Sequence, residues 1–287
     1  MRVRIGDIRL YFDVDGCQLT PEGPGMTRRP TLVLLHGGPG ADHSPFKPAF
    51  VRATEFAQVI YLDQRGSGRS DRGGPDSWSW EQWADDVVGF CDALDIEDPV
   101  LVGTSAGGWV ALMAAVRHPD RVSRLVLDSV MPGLTEERLD VFERLGGATA
   151  RETARRYWRG EAAETIQREW ERVCLPLYSR RTDGDPDGEH RLRRIEWNHE
   201  VLEHFRHHLA DHFDAWDRLD EVTCPTLVLA GEHDPVATAS AAERLTAGLT
   251  NAKTDLHVLP DTGHGVFRES PDRAFALLRA FVDGHDG

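Results

Sequence analysis

The sequence predicts an α/β domain with a mostly parallel, doubly wound sheet and an inserted helical segment, and three observations lead there. Short, nearly continuous apolar runs recur along the chain, as expected of strands buried on both faces of a parallel sheet. Stretches with helical apolar spacing separate them, and this alternation is the mark of parallel crossover units. The alternation stops between about Pro132 and Leu219, where Arg, Glu, Trp and His dominate and no strand-like run occurs. At 287 residues there is room for one large domain with such an insertion.

Taken in order, residues 2–14 read as a pair of short strands, with Val3, Ile5, Ile8, Leu10, Phe12 and Val14 in alternation and Gly6-Asp7 at the turn. Pro21-Glu22-Gly23-Pro24-Gly25 reads as a loop by composition. Buried strands follow at Thr31–Leu35, Gln58–Leu62, Pro99–Val102, Leu125–Leu127, Thr226–Ala230 and Leu256–Leu259. The helices between and after them are expected at Trp80–Leu94, Trp109–Arg117, Ala239–Leu249 and Ser270–Val282. Residues 1–131 and 220–287 thus form the core domain and residues 132–219 a helical lid. Lid helices are expected around Glu136–Leu145, Ala148–Trp158, Ala162–Cys174 and Arg191–His212, with Asp183–Gly188 a turning loop.

A formal net charge of −15 argues against nucleic acid as a partner, because phosphate contacts need clustered Lys and Arg. Cys17, Cys91, Cys174 and Cys224 are scattered without CxxC spacing, which fits a reducing compartment. The N-terminal residues alternate like a strand, with no apolar signal region, and no run approaches the ~18 apolar residues that span a membrane. A soluble, cytoplasmic protein without a membrane partner is therefore expected.

The most informative motif is Gly103-Thr104-Ser105-Ala106-Gly107-Gly108. In a chain this rich in glycine a bare GxSxG arises by chance about one time in ten, so its context decides. Here it follows the strand Pro99–Val102 and opens the helix Trp109–Arg117. A serine on so tight a strand-to-helix turn is held with its hydroxyl above the sheet edge, and the flanking glycines leave room for strand and helix to close. Ser105 is the candidate nucleophile. The Ala106 N–H, at the positive end of the helix, is the first candidate oxyanion donor. The second is placed at Gly38 in His36-Gly37-Gly38-Pro39-Gly40, after the strand Thr31–Leu35. Pro39 has no N–H to give, His36 reads as a structural hydrogen-bonding residue, and the loop lacks the lysine of a phosphate-cradling motif.

A hydroxyl nucleophile needs a base, and position selects one from 13 histidines. His264 lies on the glycine-flanked loop after the last strand, where this arrangement places its base, whereas His257 falls inside that strand. The orienting acid is expected after the preceding strand, where Asp234 is favoured over Glu232, with Asp128 as an outside candidate. Asp63-Gln64-Arg65-Gly66-Ser67-Gly68-Arg69-Ser70 reads as a supporting loop with internal Asp and Arg pairing. His204, His208 and His212 fall on one helical face, but three successive turns cannot converge on one ion unaided, so a plain stripe is expected and no metal.

With Ser105, Asp234 and His264 in that order and HGGPG and DQRGSGRS in place, the sequence resembles the α/β-hydrolase superfamily, and within it the proline iminopeptidase group, over nearly the whole chain. The resemblance implies the α/β-hydrolase fold, a cofactor-free Ser-His-Asp mechanism, and release of N-terminal proline or a similar residue from short peptides. It also implies lid glutamates that hold the substrate's amino group. Arg194-Ile195-Glu196-Trp197-Asn198-His199-Glu200 is similar to the group's RIENHYF stretch, which makes Glu196 and then Glu200 the candidates. Two departures stand out: the elbow reads GTSAGG where the group has GGSWG, and Trp197 is extra. Esterase, lactonase or thioesterase action on a small acyl substrate is the alternative, and a non-catalytic ligand-binding protein is the alternative of another class.

Overall fold

The computed structural model describes residues 1–161, 164–181, 188–210 and 213–284. Its strands are β1 (Arg2–Ile5), β2 (Ile8–Asp15), β3 (Leu19–Glu22), β4 (Gly25–Arg28), β5 (Thr31–Leu35), β6 (Gln58–Leu62), β7 (Pro99–Thr104), β8 (Arg124–Asp128), β9 (Thr226–Gly231) and β10 (Thr254–Leu259). Eight of them form one sheet in the order β1-β2-β6-β5-β7-β8-β9-β10. β1, β2 and β6 pair antiparallel, and every pairing from β6 to β10 is parallel. The helices are α1 (Trp80–Ala93), α2 (Ala106–Arg117), α3 (Glu137–Trp158), α4 (Glu164–Val173), α5 (Gly188–Arg194), α6 (His199–His204), α7 (Ala239–Gly248), α8 (Val266–Glu269) and α9 (Pro271–Asp283).

The apolar runs are continuous because both faces of the sheet are covered. On β5, Val33 and Leu35 enter a core shared with α1, α2 and α7, while Leu32 and Leu34 enter a second core shared with α8 and α9. β9 divides the same way, Val228 and Ala230 to one side and Leu227 and Leu229 to the other. Each of these side chains is at most 1% exposed, and full burial of a Leu or Val stabilises by ~1.5–3 kcal/mol. Helix starts are written locally: the Ser79 and Thr238 hydroxyls accept the N–H groups of Gln82 and Ala241, capping α1 and α7.

From β5 the chain runs outward to β6 and then returns to β7 on the other side of β5. Strand order therefore reverses at β5 and β7, and the crevice beyond their carboxyl ends is where such sheets place ligands. The segments that leave those ends are His36–Gly40 and Ser105.

Two expectations need correction. Residues 21–25 are not an open loop: β3 and β4 pair with Glu22 opposite Gly25, so only Gly23-Pro24 turns. The two strands form a separate, largely exposed two-stranded sheet, and without a buried face they carry no alternating signal. Nor does one helix run from Arg191 to His212. α5 and α6 are separated by Ile195–Asn198, because Asn198 docks on the core: its N–H donates to the Gly40 carbonyl at 2.7 Å and its Nδ2 to the Gly66 carbonyl at 2.8 Å. Asn198 then caps α6, accepting the Glu200 N–H. The two helices expected around Glu136–Leu145 and Ala148–Trp158 are both present within α3, separated by the non-helical Gly147 at φ 74° and ψ −175°. Ala162, the Asp183–Asp187 part of the expected loop and His212 lie outside the described residues.

Candidate active site

Ser105 occupies the turn from β7 to α2 with φ 54° and ψ −124°, a conformation that side-chain-bearing residues avoid. The turn is held by Ser105 N–H donating to the Asp128 carbonyl at 2.9 Å and by Gly108 N–H donating to the Ser105 carbonyl at 2.8 Å. The motif's glycines are required by space. A Cβ at Gly103 would lie 2.5 Å from the Gly108 Cα, and one at Gly107 would lie 2.1 Å from the Leu35 carbonyl oxygen. Ala106 is the first helical residue, so its N–H has no acceptor within α2.

His36–Gly40 lies directly against this turn: a Cβ at Gly37 would fall 2.9 Å from the Ser105 Cβ. Gly38 has φ 57° and lies under the Trp197 ring. His36 anchors the loop, accepting the Gln64 N–H at Nε2 while its carbonyl accepts the Gln64 amide at 2.9 Å. Burial lowers the His36 pKa, against the pull of the Asp63 carboxylate, and keeps the ring neutral.

His264 Nδ1 and Asp234 Oδ2 are 2.8 Å apart, with the Asp234 side chain fully buried. The other Asp234 oxygen accepts the N–H groups of Val236 and Ala237 at 2.8 and 3.0 Å, which fixes the carboxylate. Glu232 is occupied elsewhere, accepting the Asp261 N–H, and its side chain is half exposed. The loop that carries His264 is also pinned by the helical insertion. His264 N–H donates to the Tyr178 carbonyl at 2.7 Å, and the Tyr178 ring meets the imidazole edge-on at 4.9 Å. Neither contact has a signature in the sequence.

Ser105, Ala106, Gly38 and His264 line one cavity of about 840 Å³. Its walls are largely apolar and include the aromatic rings of Phe46, Phe50, Trp109, Trp158, Trp170, Trp197, Phe205 and Phe267. Lys47, Arg181, Arg191 and Arg268 are among the lining residues, as are Asp128 and Glu171. The two expected amine-binding glutamates do not. Glu196 is half exposed and pairs with Arg69 at 3.1 Å, and Glu200 is exposed; neither lines the cavity. The extended turn before Asn198 is the cause, since it directs Trp197 over Gly38 and leaves Glu196 to the Arg69–Asp42 ion pair.

The DQRGSGRS loop is a buried ionic brace. Asp63 accepts from His43 Nδ1 at 2.7 Å and from the Arg69 N–H at 2.8 Å, and Arg65 makes a two-pronged pair with Asp86. His204 binds the Trp78 carbonyl and meets the His208 ring at a tilt, 5.0 Å between centroids. Among the described residues, Glu232, His233 and Asp261 bring possible metal-ligand atoms within 4.8 Å of one another, on the surface. No helix of the described residues is long and apolar enough to cross a membrane.

A family model for the alpha/beta hydrolase fold matches residues 30–271, and the chain belongs to that family. It is 28% identical to the putative carbamate hydrolase RutD of Caulobacter sp. (strain K31), with 96% of each chain covered. A proline iminopeptidase from Mycobacterium smegmatis superposes with a TM-score of 0.79 at 26% identity, over 99% of this chain and 98% of that one. A thermophilic esterase from Thermogutta terrifontis gives 0.72 at 26% identity over 100% of both. All three relatives are hydrolases by name.

Proposed function

We propose that this chain is a serine hydrolase that transfers an acyl group first to Ser105 and then to water. One observation carries the reading: a serine held at positive φ on the β7–α2 turn and a histidine tied to a buried carboxylate line the same cavity. His264 accepts the Ser105 hydroxyl proton as the oxygen attacks a carbonyl carbon, and Asp234 holds the ring and favours the imidazolium that forms. The N–H groups of Ala106 and Gly38 receive the negative charge that develops on the carbonyl oxygen. The protonated His264 then gives its proton to the leaving group, and a water molecule repeats the sequence on the acyl-enzyme. Likeness to proteins named as a carbamate hydrolase, an iminopeptidase and an esterase supports this level of description, since each presents a carbonyl to be attacked.

For the substrate we favour an ester, lactone or thioester with a bulky apolar acyl group. The cavity is at the large end of the ~300–1,000 Å³ range for small-molecule sites and mostly apolar, and the glutamates expected to hold an ammonium lie outside it. An aminopeptidase of the proline iminopeptidase type is the second reading, supported by the whole-chain likeness to the mycobacterial enzyme and by Glu171 on the cavity wall. Four free thiols, three of them buried, fit a reducing, cytoplasmic setting.

Side-by-side turnover of acyl esters of rising chain length and of prolyl and alanyl arylamides tests the choice. Esters with six or more acyl carbons are expected to exceed acetyl esters by about tenfold or more in kcat/KM, each buried methylene contributing ~0.8 kcal/mol. Prolyl arylamide cleaved faster than every ester, and lost in Glu171→Ala, would replace this reading with the aminopeptidase.

A further inference from the structure

Asp128 and Ser129 follow one another at the end of β8, between the turn that carries Ser105 and the loop that carries His264. Both are 1% exposed, and each reaches toward the two segments at once. The Asp128 carbonyl accepts the Ser105 N–H, and its Oδ2 accepts the Thr104 hydroxyl at 2.9 Å. Its Oδ1 accepts the Val266 N–H at 2.8 Å, two residues past His264. Ser129, itself at φ 55°, accepts the Gly265 N–H on its hydroxyl at 2.8 Å and donates its own N–H to the Leu229 carbonyl.

This carboxylate differs from the other buried acids of the core. Asp86 has Arg65 and Asp234 has His264, whereas both Asp128 side-chain oxygens are met by neutral donors. Burial therefore pushes its pKa above the usual carboxylate range, against the Val266 and Thr104 hydrogen bonds. A carboxyl group in such a place is unfavourable for stability on its own account. What it does is tie the residue before the nucleophile to the second residue after the base.

We propose that Asp128 and Ser129 are positioning residues that fix the separation and relative orientation of Ser105 and His264, acting through Thr104 on one side and Gly265 and Val266 on the other. The proposal rests on the serine-hydrolase reading. Proton transfer from Ser105 to His264 needs hydrogen-bond distance, and a misplacement of about 1 Å can lower the rate by ~100-fold. The clamp shares no bond with the Asp234–His264 pair, so ring orientation and loop placement are set separately.

The test is kcat and KM on the best ester for Asp128→Ala, Asp128→Asn, Thr104→Val, Ser129→Ala and Ser105→Ala, each with a thermal melt. Asp128→Ala is expected to lose ~30- to 100-fold in kcat with KM within about threefold. Asp128→Asn retains an acceptor for Val266 and can turn its amide toward the Thr104 oxygen, so it is expected to recover at least about tenfold of that loss. Thr104→Val and Ser129→Ala, which each remove one tie, are expected to lose about three- to tenfold in kcat. Wild-type kcat in Asp128→Ala, or an Asn variant no better than Ala, overturns the proposal. Should Asp128→Ala not fold, unchanged kcat in both Thr104→Val and Ser129→Ala does so. A fully active Ser105→Ala would remove the hydrolase reading instead, which keeps the two failures apart.

Discussion

Ser105 holds its backbone at φ 54°, where a non-glycine residue stores ~1–3 kcal/mol of strain. The adjoining glycines leave strand, helix and Leu35 carbonyl close enough to enforce it. Ser105→Gly should accordingly raise unfolding free energy by about 1 kcal/mol while abolishing turnover, since relief of strain exceeds the ~0.4–1 kcal/mol that glycine adds to the unfolded chain's freedom. Urea denaturation beside an ester assay checks both halves. A second prediction concerns His36, buried and kept neutral at the start of the His36–Gly40 loop. Its folded pKa lies below the unfolded value of about 6.5, so the unfolded chain binds the proton first. Its contribution to stability is complete above that value and is lost as pH falls toward the folded pKa. Thermal melts from pH 7.5 to 5 should show His36→Gln, which can still accept from Gln64 N–H, losing less stability on acidification than the wild type.

Among the elements, those buried on both sides were legible from the residues alone. β5, β7 and β9 announce themselves as unbroken apolar runs because both faces meet helices, and the elbow was legible because strand, glycines and helix had to coincide. The insertion was not. The expected helix through residue 197 breaks because Asn198 bonds to Gly40 and Gly66, partners about 130 or more positions away that no local period encodes. That break decides the fate of Glu196, which the motif placed in a binding site and the fold places on Arg69. Tyr178 was equally hidden, since its part is played by a backbone carbonyl on His264 N–H. Its segment is latched by Glu269, nearly inaccessible, which accepts the Ser179 hydroxyl at 2.8 Å and the Arg180 N–H at 2.7 Å. Glu269→Ala should loosen this latch by ~1–3 kcal/mol, read as roughly tenfold or more faster amide exchange over residues 177–181 with the sheet unchanged.

At the scale of the whole molecule, the sheet's reversal at β5 and β7 assembles the site from segments far apart in sequence. His36–Gly40, Ser105, Asp128-Ser129, Asp234 and His264 all lie at or just past strand ends on one edge, and residues of the helical insertion line a largely apolar cavity above them. A rigid core thereby fixes the chemistry while the insertion shapes what enters, which is why likeness to relatives with different named substrates does not carry one substrate across. If Ser105 is activated by His264 and Asp234, a fluorophosphonate, which reacts with such serines, will label it. A single adduct is expected, located on Ser105 by peptide mass mapping and formed at least about 100-fold more slowly in His264→Ala and in Asp234→Ala. No adduct on a folded protein, or labelling at the same rate without His264, would contradict it.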